Sequence, residues 1–158
     1  MSTTTKAEHS EQVELFRWAN EVAYAGFELV LAQAPKPYAK DQLKPVPTLS
    51  LMHAIPNGGA RGNDSQTNKI RGSMLKAEGV KKGVPDIFLP VPLSGCHGLY
   101  IEMKVADNKK GRPSAEQLAF LDNVGKLGYG YAICYGAEQA KKVICQYYGY
   151  GEVFNEPS

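Results

Sequence analysis

Between Leu99 and Val105 the chain alternates strictly. Leu99, Ile101, Met103 and Val105 are apolar, whereas Tyr100, Glu102 and Lys104 carry polar groups. Period two is the pattern of a strand with one face in the core and the other turned outward. Elsewhere the spacing is helical. Residues about 8 to 32 place Leu15, Trp18, Ala19 and Val22 three and four apart, which predicts an amphipathic helix with Ser10 as N-cap. Gly26 ends or interrupts it, and Phe27 to Ala32 either continue the helix or begin a strand. Prolines 35, 37, 45 and 47 then predict a long loop. Leu49 to Ile55 reads as a short strand, stopped by the turn Pro56-Asn57-Gly58-Gly59. The polar stretch 60–68 reads as flexible, and Lys69 to Glu78 as a short helix ending at Gly79.

Pro90 and Pro92 interrupt a strand predicted over Ile87 to Leu93, which makes it an edge strand or an irregular one. A basic loop, Asp107 to Pro113, precedes a helix from Ser114 to about Lys126. Ser114-Ala115-Glu116-Gln117 has the form of a capping box. Tyr129 to Tyr135 is another strand, Gly136 a turn, and Ala137 to Gln146 a final helix. Because a helix joins strands 99–105 and 129–135, they should run parallel, whereas 87–93 and 99–105 should form a hairpin. The expectation is an α/β fold whose mixed central sheet is flanked by helices. A single domain is expected over 8–150, with a disordered N-terminal tail (1–7) and a C-terminal tail (151–158).

Composition changes this picture little. A chain of 158 residues, 43% hydrophobic and 22% charged, fits one ordinary globular domain. No apolar run approaches the roughly 20 residues needed to span a bilayer, and the polar Met1–Lys6 segment does not read as a signal peptide. The expectation is a cytoplasmic protein with no membrane partner. Cys96, Cys134 and Cys145 form no CxxC pair, so a disulfide framework or zinc knuckle is not indicated, and Cys134 and Cys145 read as small buried residues. Charge is uneven. Ten Lys/Arg and five acids lie between Arg61 and Arg112, a local +5 in a chain of net +2. Such a middle suits a polyanion, although lysine clusters are often only a solvated face.

Glu102 and Lys104, two apart on one strand, project from the same side with the Met103 backbone carbonyl between them. In the predicted hairpin Asp86, from Gly83-Val84-Pro85-Asp86, lies at the same end as Glu102. Two carboxylates and a carbonyl make the all-oxygen set preferred by Mg²⁺ or Mn²⁺. A lysine beside them can orient a water or stabilise charge on a phosphate. Glu-x-Lys or Pro-Asp alone is commonplace; their order and spacing, with a capped helix directly after, is not.

The succession Gly83-Val84-Pro85-Asp86, Gly98-Leu99-Tyr100-Ile101-Glu102-Met103-Lys104, Ser114-x-x-Gln117 and Gly128-Tyr129 resembles the virus-type replication-repair nuclease (VRR-NUC) domain of the PD-(D/E)xK superfamily. The Ser10-Glu11-Gln12 helix and His53-Ala54-Ile55-Pro56-Asn57-Gly58-Gly59 resemble its stand-alone phage and bacterial members, so the likeness runs from about Glu8 to Tyr148. The resemblance implies a restriction-endonuclease-like core and a metal-dependent DNA endonuclease. It implies Mg²⁺ or Mn²⁺ on Asp86, Glu102 and the Met103 carbonyl, Lys104 as catalytic lysine, Gln117 beside the site, and an acid on the first helix. Glu8, Glu11 and Glu14 compete for that last role. Glu11 shares the inward stripe of Leu15 and Trp18 and is preferred.

Asn57, Arg61, Lys69, Arg71, Lys109, Lys110 and Arg112 are candidates for DNA contact. His53 reads as structural or site-lining, and Tyr147, Tyr148 and Tyr150 as packing residues, a dimer interface or base-stacking groups. The resemblance further implies a preference for branched DNA, such as replication or recombination junctions, and a homodimer. Two rivals stand beside it: a non-catalytic DNA-binding protein on the nuclease fold, and a sequence-specific restriction-type endonuclease.

Overall fold

The computed structural model describes residues 3–26, 45–56, 65–107 and 111–149. The elements run α1 (Thr3–Ala25), a 3-10 turn (Pro47–Leu51), β1 (His53–Ala54), α2 (Ser65–Ala77), β2 (Ile87–Leu89), β3 (Leu99–Lys104), α3 (Ala115–Lys126), β4 (Gly130–Tyr135) and α4 (Ala137–Tyr147). The four strands form one sheet in the order β1-β2-β3-β4. β1 pairs with β2, and β2 with β3, antiparallel, whereas β3 and β4 are parallel. This is the mixed α/β architecture expected from the sequence: the helix between β3 and β4 carries the chain back across so that these strands are parallel, and the short β2–β3 connection leaves that pair antiparallel.

The alternation in β3 decides how the sheet is covered. Leu99, Ile101 and Met103 are buried and join Ile87, Leu89 and Cys134 in one core with Leu15 and Val22 of α1 and Ile144 and Cys145 of α4. Each fully buried Leu or Ile contributes about 1.5–3 kcal/mol relative to exposure. The opposite face holds Tyr100, Glu102 and Lys104 and lies on the side of α3. Burial pushes the thiols of Cys134 and Cys145 up to about 12, as befits inert core residues.

Several boundaries differ from the expected ones. α1 begins at Thr3 rather than near residue 8, so residues from Thr3 onward are helical and not a disordered tail. Ser10 is therefore interior to the helix, its hydroxyl donating to the Lys6 carbonyl at 3.0 Å, and is no N-cap. Gly26 ends α1, with φ +81°. The stretch read as a strand from Leu49 to Ile55 is mostly a 3-10 turn started by Pro47, and only His53–Ala54 pairs. β2 stops at Leu89, before Pro90, which has no N–H for the ladder. α2 starts at Ser65, inside the stretch expected to be flexible. Residues 27–44 and the C-terminal tail lie outside the described residues. Among the described residues, no helix is long and apolar enough to cross a membrane.

Candidate active site

Gly83-Val84-Pro85-Asp86 delivers a carboxylate to the end of β2. Gly83 has φ +82°, and a Cβ there would sit 2.6 Å from the backbone of Glu116 in the first turn of α3. Only glycine allows that approach. Asp86 is then fixed from its backbone and side chain alike. Its carbonyl accepts from Ile55 N at 2.7 Å, and its Oδ2 accepts from Met103 N at 2.9 Å. Ile87 faces Ile101 in the β2–β3 register. One step further brings Asp86 opposite Glu102.

Glu102 is the one charged residue buried among the described residues, at 1% exposure. Its Oε1 accepts from Lys104 Nζ at 2.7 Å and, in a very short hydrogen bond, from Gln117 Nε2. Its Oε2 is buried without a hydrogen-bond partner. Burial pushes this carboxyl up to about 7, assisted by the negative charge of Asp86 and opposed by Lys104. A buried carboxylate oxygen left bare is costly unless a cation or donor meets it.

Gln117 works twice. Its N–H donates to Ser114 Oγ at 3.2 Å while its Oε1 accepts from Ser114 N at 2.7 Å, completing the capping box. The same Oε1 lies 3.5 Å from Lys104 Nζ. With two donors facing the oxygen, the amide nitrogen is left to donate to Glu102. The cap and the site contact are one arrangement, as the sequence allowed.

Glu11, the expected first-helix acid, is engaged elsewhere in the structure. Glu11 faces inward, but its Oε2 accepts from Ala137 N at 2.7 Å and caps α4, whose own N-cap, Gly136, has no side chain to do so. Glu8, three residues earlier on the same stripe, is the one coupled to the carboxylate cluster. Burial raises its carboxyl above the ordinary range, Lys104 pulls it down and Asp86 pushes it up. Glu14 is held low by Lys141, 2.8 Å away, and belongs to a surface ion pair. Helical periodicity identified the stripe correctly. It could not tell that α4 starts opposite Glu11, because that is a tertiary fact.

The remaining candidates are dispersed. Lys69 and Arg71 are exposed on α2, and Arg112 is exposed just before α3. Asn57, Arg61, Lys109, Lys110 and Tyr150 lie outside the described residues. Tyr147 is buried with its hydroxyl donating to the Val91 carbonyl, and Tyr148 OH pairs with Thr48 Oγ1 at 2.9 Å, so both are packing residues. His53 is exposed, its Nδ1 2.9 Å from the Leu51 carbonyl.

Among the described residues no three His, Cys, Asp or Glu side chains converge as a ready metal cluster. The donors available are Asp86, Glu102 and the Met103 carbonyl, with Glu8 nearby. Hard oxygen donors suit Mg²⁺ or Mn²⁺, and the bare Glu102 Oε2 is the atom such a cation would satisfy.

The VRR-NUC domain model matches residues 55–138, just over half of the chain, including Asp86, Glu102, Lys104 and Gln117. The chain belongs to the VRR-NUC domain family. A nuclease-type, DNA-processing function goes with that membership. A solved structure described as a VRR_NUC domain protein aligns with TM-score 0.62 at 21% identity, covering 92% of this chain and 90% of that one. At that identity the likeness is one of fold. No curated protein matches the chain significantly.

Proposed function

We propose that this VRR-NUC protein is a metal-dependent DNA endonuclease of the PD-(D/E)xK type, akin to the stand-alone phage and bacterial members, selective for branched DNA in replication, recombination or repair, and working as a homodimer. The single observation that carries the catalytic part is Glu102: a buried carboxylate with one bare oxygen, opposite Asp86 and bridged to Lys104 and Gln117. A purely structural buried acid would have all its lone pairs met.

In this reading Asp86, Glu102 and the Met103 carbonyl hold Mg²⁺ or Mn²⁺, and Glu8 takes the place expected of Glu11. The bound cation supplies Lewis acidity, lowering the pKa of a water and neutralising charge on the scissile phosphate. The protein's own groups do the rest. Met103 N, donating to Asp86, fixes that carboxylate's orientation. Lys104, held between Glu102 and Gln117, presents its ammonium for the nucleophilic water or a phosphate oxygen. Gln117 keeps Glu102 Oε1 engaged so that Oε2 remains the free donor. The preference for branched DNA and the two-fold assembly rest on the family resemblance; a two-fold enzyme suits paired cuts on a symmetric junction.

The test is cleavage of four-way-junction, single-stranded and linear duplex DNA in Mg²⁺, in Mn²⁺ and in chelator, alongside Asp86→Asn, Glu102→Ala and Lys104→Ala. Junction cutting that needs the divalent ion and falls at least 100-fold in each variant is expected. No cleavage by wild type, or equal cleavage by the variants, would overturn the assignment. Cutting of linear duplex at one defined sequence would favour a restriction-type enzyme instead.

A further inference from the structure

The outward sheet face carries more than the acidic site. His53 faces Phe88, Phe88 faces Tyr100, and Tyr100 faces Tyr131, so one register row crosses all four strands with an aromatic ring on each. Residues directly opposite share a face. Tyr100 lies two residues before Glu102, so this row sits about 6.6–6.8 Å along the sheet from the row of Asp86 and Glu102. Phe88 and Tyr100 stack with centroids 4.4 Å apart, and His53 meets Phe88 edge-on at 5.8 Å. Gly98 makes room for this: a Cβ there would lie 2.9 Å from the Phe88 ring.

The row is covered unevenly. On the β3–β4 side α3 reaches it, with Phe120 edge-on to Tyr100 at 5.5 Å and Gly125 beneath Tyr131. Among the described residues no helix packs substantially on the β1–β2 side. There His53 is exposed and Phe88 half-buried. Tyr129 also tilts against Phe88 and Tyr100, at 6.1 and 5.7 Å, so the row is packed at its β3 end and finishes on an exposed ring at β1.

We propose that the His53–Phe88–Tyr100 row is a stacking surface for an unpaired nucleobase of the DNA strand being cut. The inference rests on the nuclease reading and gives its selectivity a physical source. Both faces of a base inside a duplex are taken by its neighbours, so along the length of a DNA only an unpaired base is free to lie on such a row. Exposed cations of the same basic middle, Lys69, Arg71 and Arg112, supply the charge that draws the backbone in. Aromatic stacking is tolerant of sequence, which suits recognition of DNA form over DNA sequence.

The experiment reads binding by the full chain in chelator, where cleavage is absent. A forked duplex with 2-aminopurine at its first unpaired positions is compared with a blunt duplex of equal length, for wild type, Phe88→Leu and His53→Ala. Wild type is expected to quench the 2-aminopurine. Phe88→Leu should abolish the quenching and weaken forked-DNA binding about tenfold, the scale of one base–aromatic stack, while blunt-duplex binding changes less than twofold. His53→Ala, at an exposed ring, should do the same to a smaller degree and guards against misfolding of the first variant. In parallel, 5-iodouracil at the unpaired position should photocrosslink the wild-type chain at His53, Phe88 or Tyr100.

Wild-type quenching that survives in both variants, equal loss on both DNAs, or crosslinks confined to the lysine-bearing segment 69–82 would overturn the stacking surface. A protein that quenches but cuts nothing in Mg²⁺ would sink the nuclease assignment alone. One that cuts but neither quenches nor crosslinks at these rings would sink the stacking surface alone.

Discussion

At the scale of single residues, Glu102 is a carboxyl that folding buries at an electrostatic cost. Its carboxyl, raised by burial to about 7 from 4.5, binds a proton in the folded chain that the unfolded chain has already released. Between those values the folded state therefore holds more protons, and stability falls as pH rises through the window. The full shift corresponds to roughly 3 kcal/mol. Glu102→Gln keeps the shape and removes the titration. In chelator, its stability relative to wild type should improve by up to that amount between pH 4.5 and pH 8, measured by urea unfolding, and a flat difference would contradict the assignment. A cation on Oε2 opposes the same proton, so divalent affinity of the wild type should climb with pH through 7 and release protons. Glu8 and Glu11 make a second contrast. Glu11→Ala removes the cap on α4 and should cost about 1 kcal/mol, leaving cleavage per folded molecule nearly intact. Glu8→Ala should do the reverse, losing at least tenfold in cleavage with little change in melting temperature.

Among the elements, α3 and β3 were the most legible, because everything needed to specify them is local. Period-two alternation fixes which side of β3 is buried, and so which side carries Glu102 and Lys104. Ser114 and Gln117 start α3 by a reciprocal pair of hydrogen bonds between residues three apart. The helix start and the site share the Gln117 amide, so a capping mutation should also be a catalytic one. Ser114→Ala should cost about 1 kcal/mol and lower cleavage several-fold, because the Gln117 side chain is released from one anchor, while Gln117→Ala should lose both functions fully. Ser114→Ala cleaving at the wild-type rate would uncouple cap from site. Less legible were elements that depend on distant partners. The Leu49–Ile55 stretch satisfies strand composition, yet Pro47 supplies a helical φ, and the Leu49 N–H bonds back to Val46, closing a 3-10 turn. The start of α1 was missed because Ser10 is a good cap by type, while the residues before it are polar enough to extend a helix unseen by hydrophobic periodicity.

Across the whole molecule, the same sheet divides its labour by face. One side is sealed by α1 and α4 into an apolar core, which keeps β2 and β3 in register; the other carries the carboxylates, the lysine and the aromatic row. The sequence carried the first division openly, in the alternation of β3. The second was hidden, because Asp86, Glu102, His53, Phe88, Tyr100 and Tyr131 come from four strands and share rows only through pairing. The positive charge between Arg61 and Arg112 in the sequence suits a polyanion, and its part can be tested apart from the chemistry. Lys69, Arg71 and Arg112 are exposed, and none of them is a proposed site residue, so their replacement should leave catalysis at saturating DNA unchanged. If each displaces a counterion from a phosphate, each alanine should flatten the plot of log affinity against log salt by about 0.9, and by a similar amount on forked and blunt DNA. Phe88→Leu should leave that slope alone while lowering affinity for forked DNA. A triple variant whose slope falls by less than one would take α2 and the entry to α3 out of the interface, and a slope that moved with Phe88 would mean that the ring positions the backbone rather than a base.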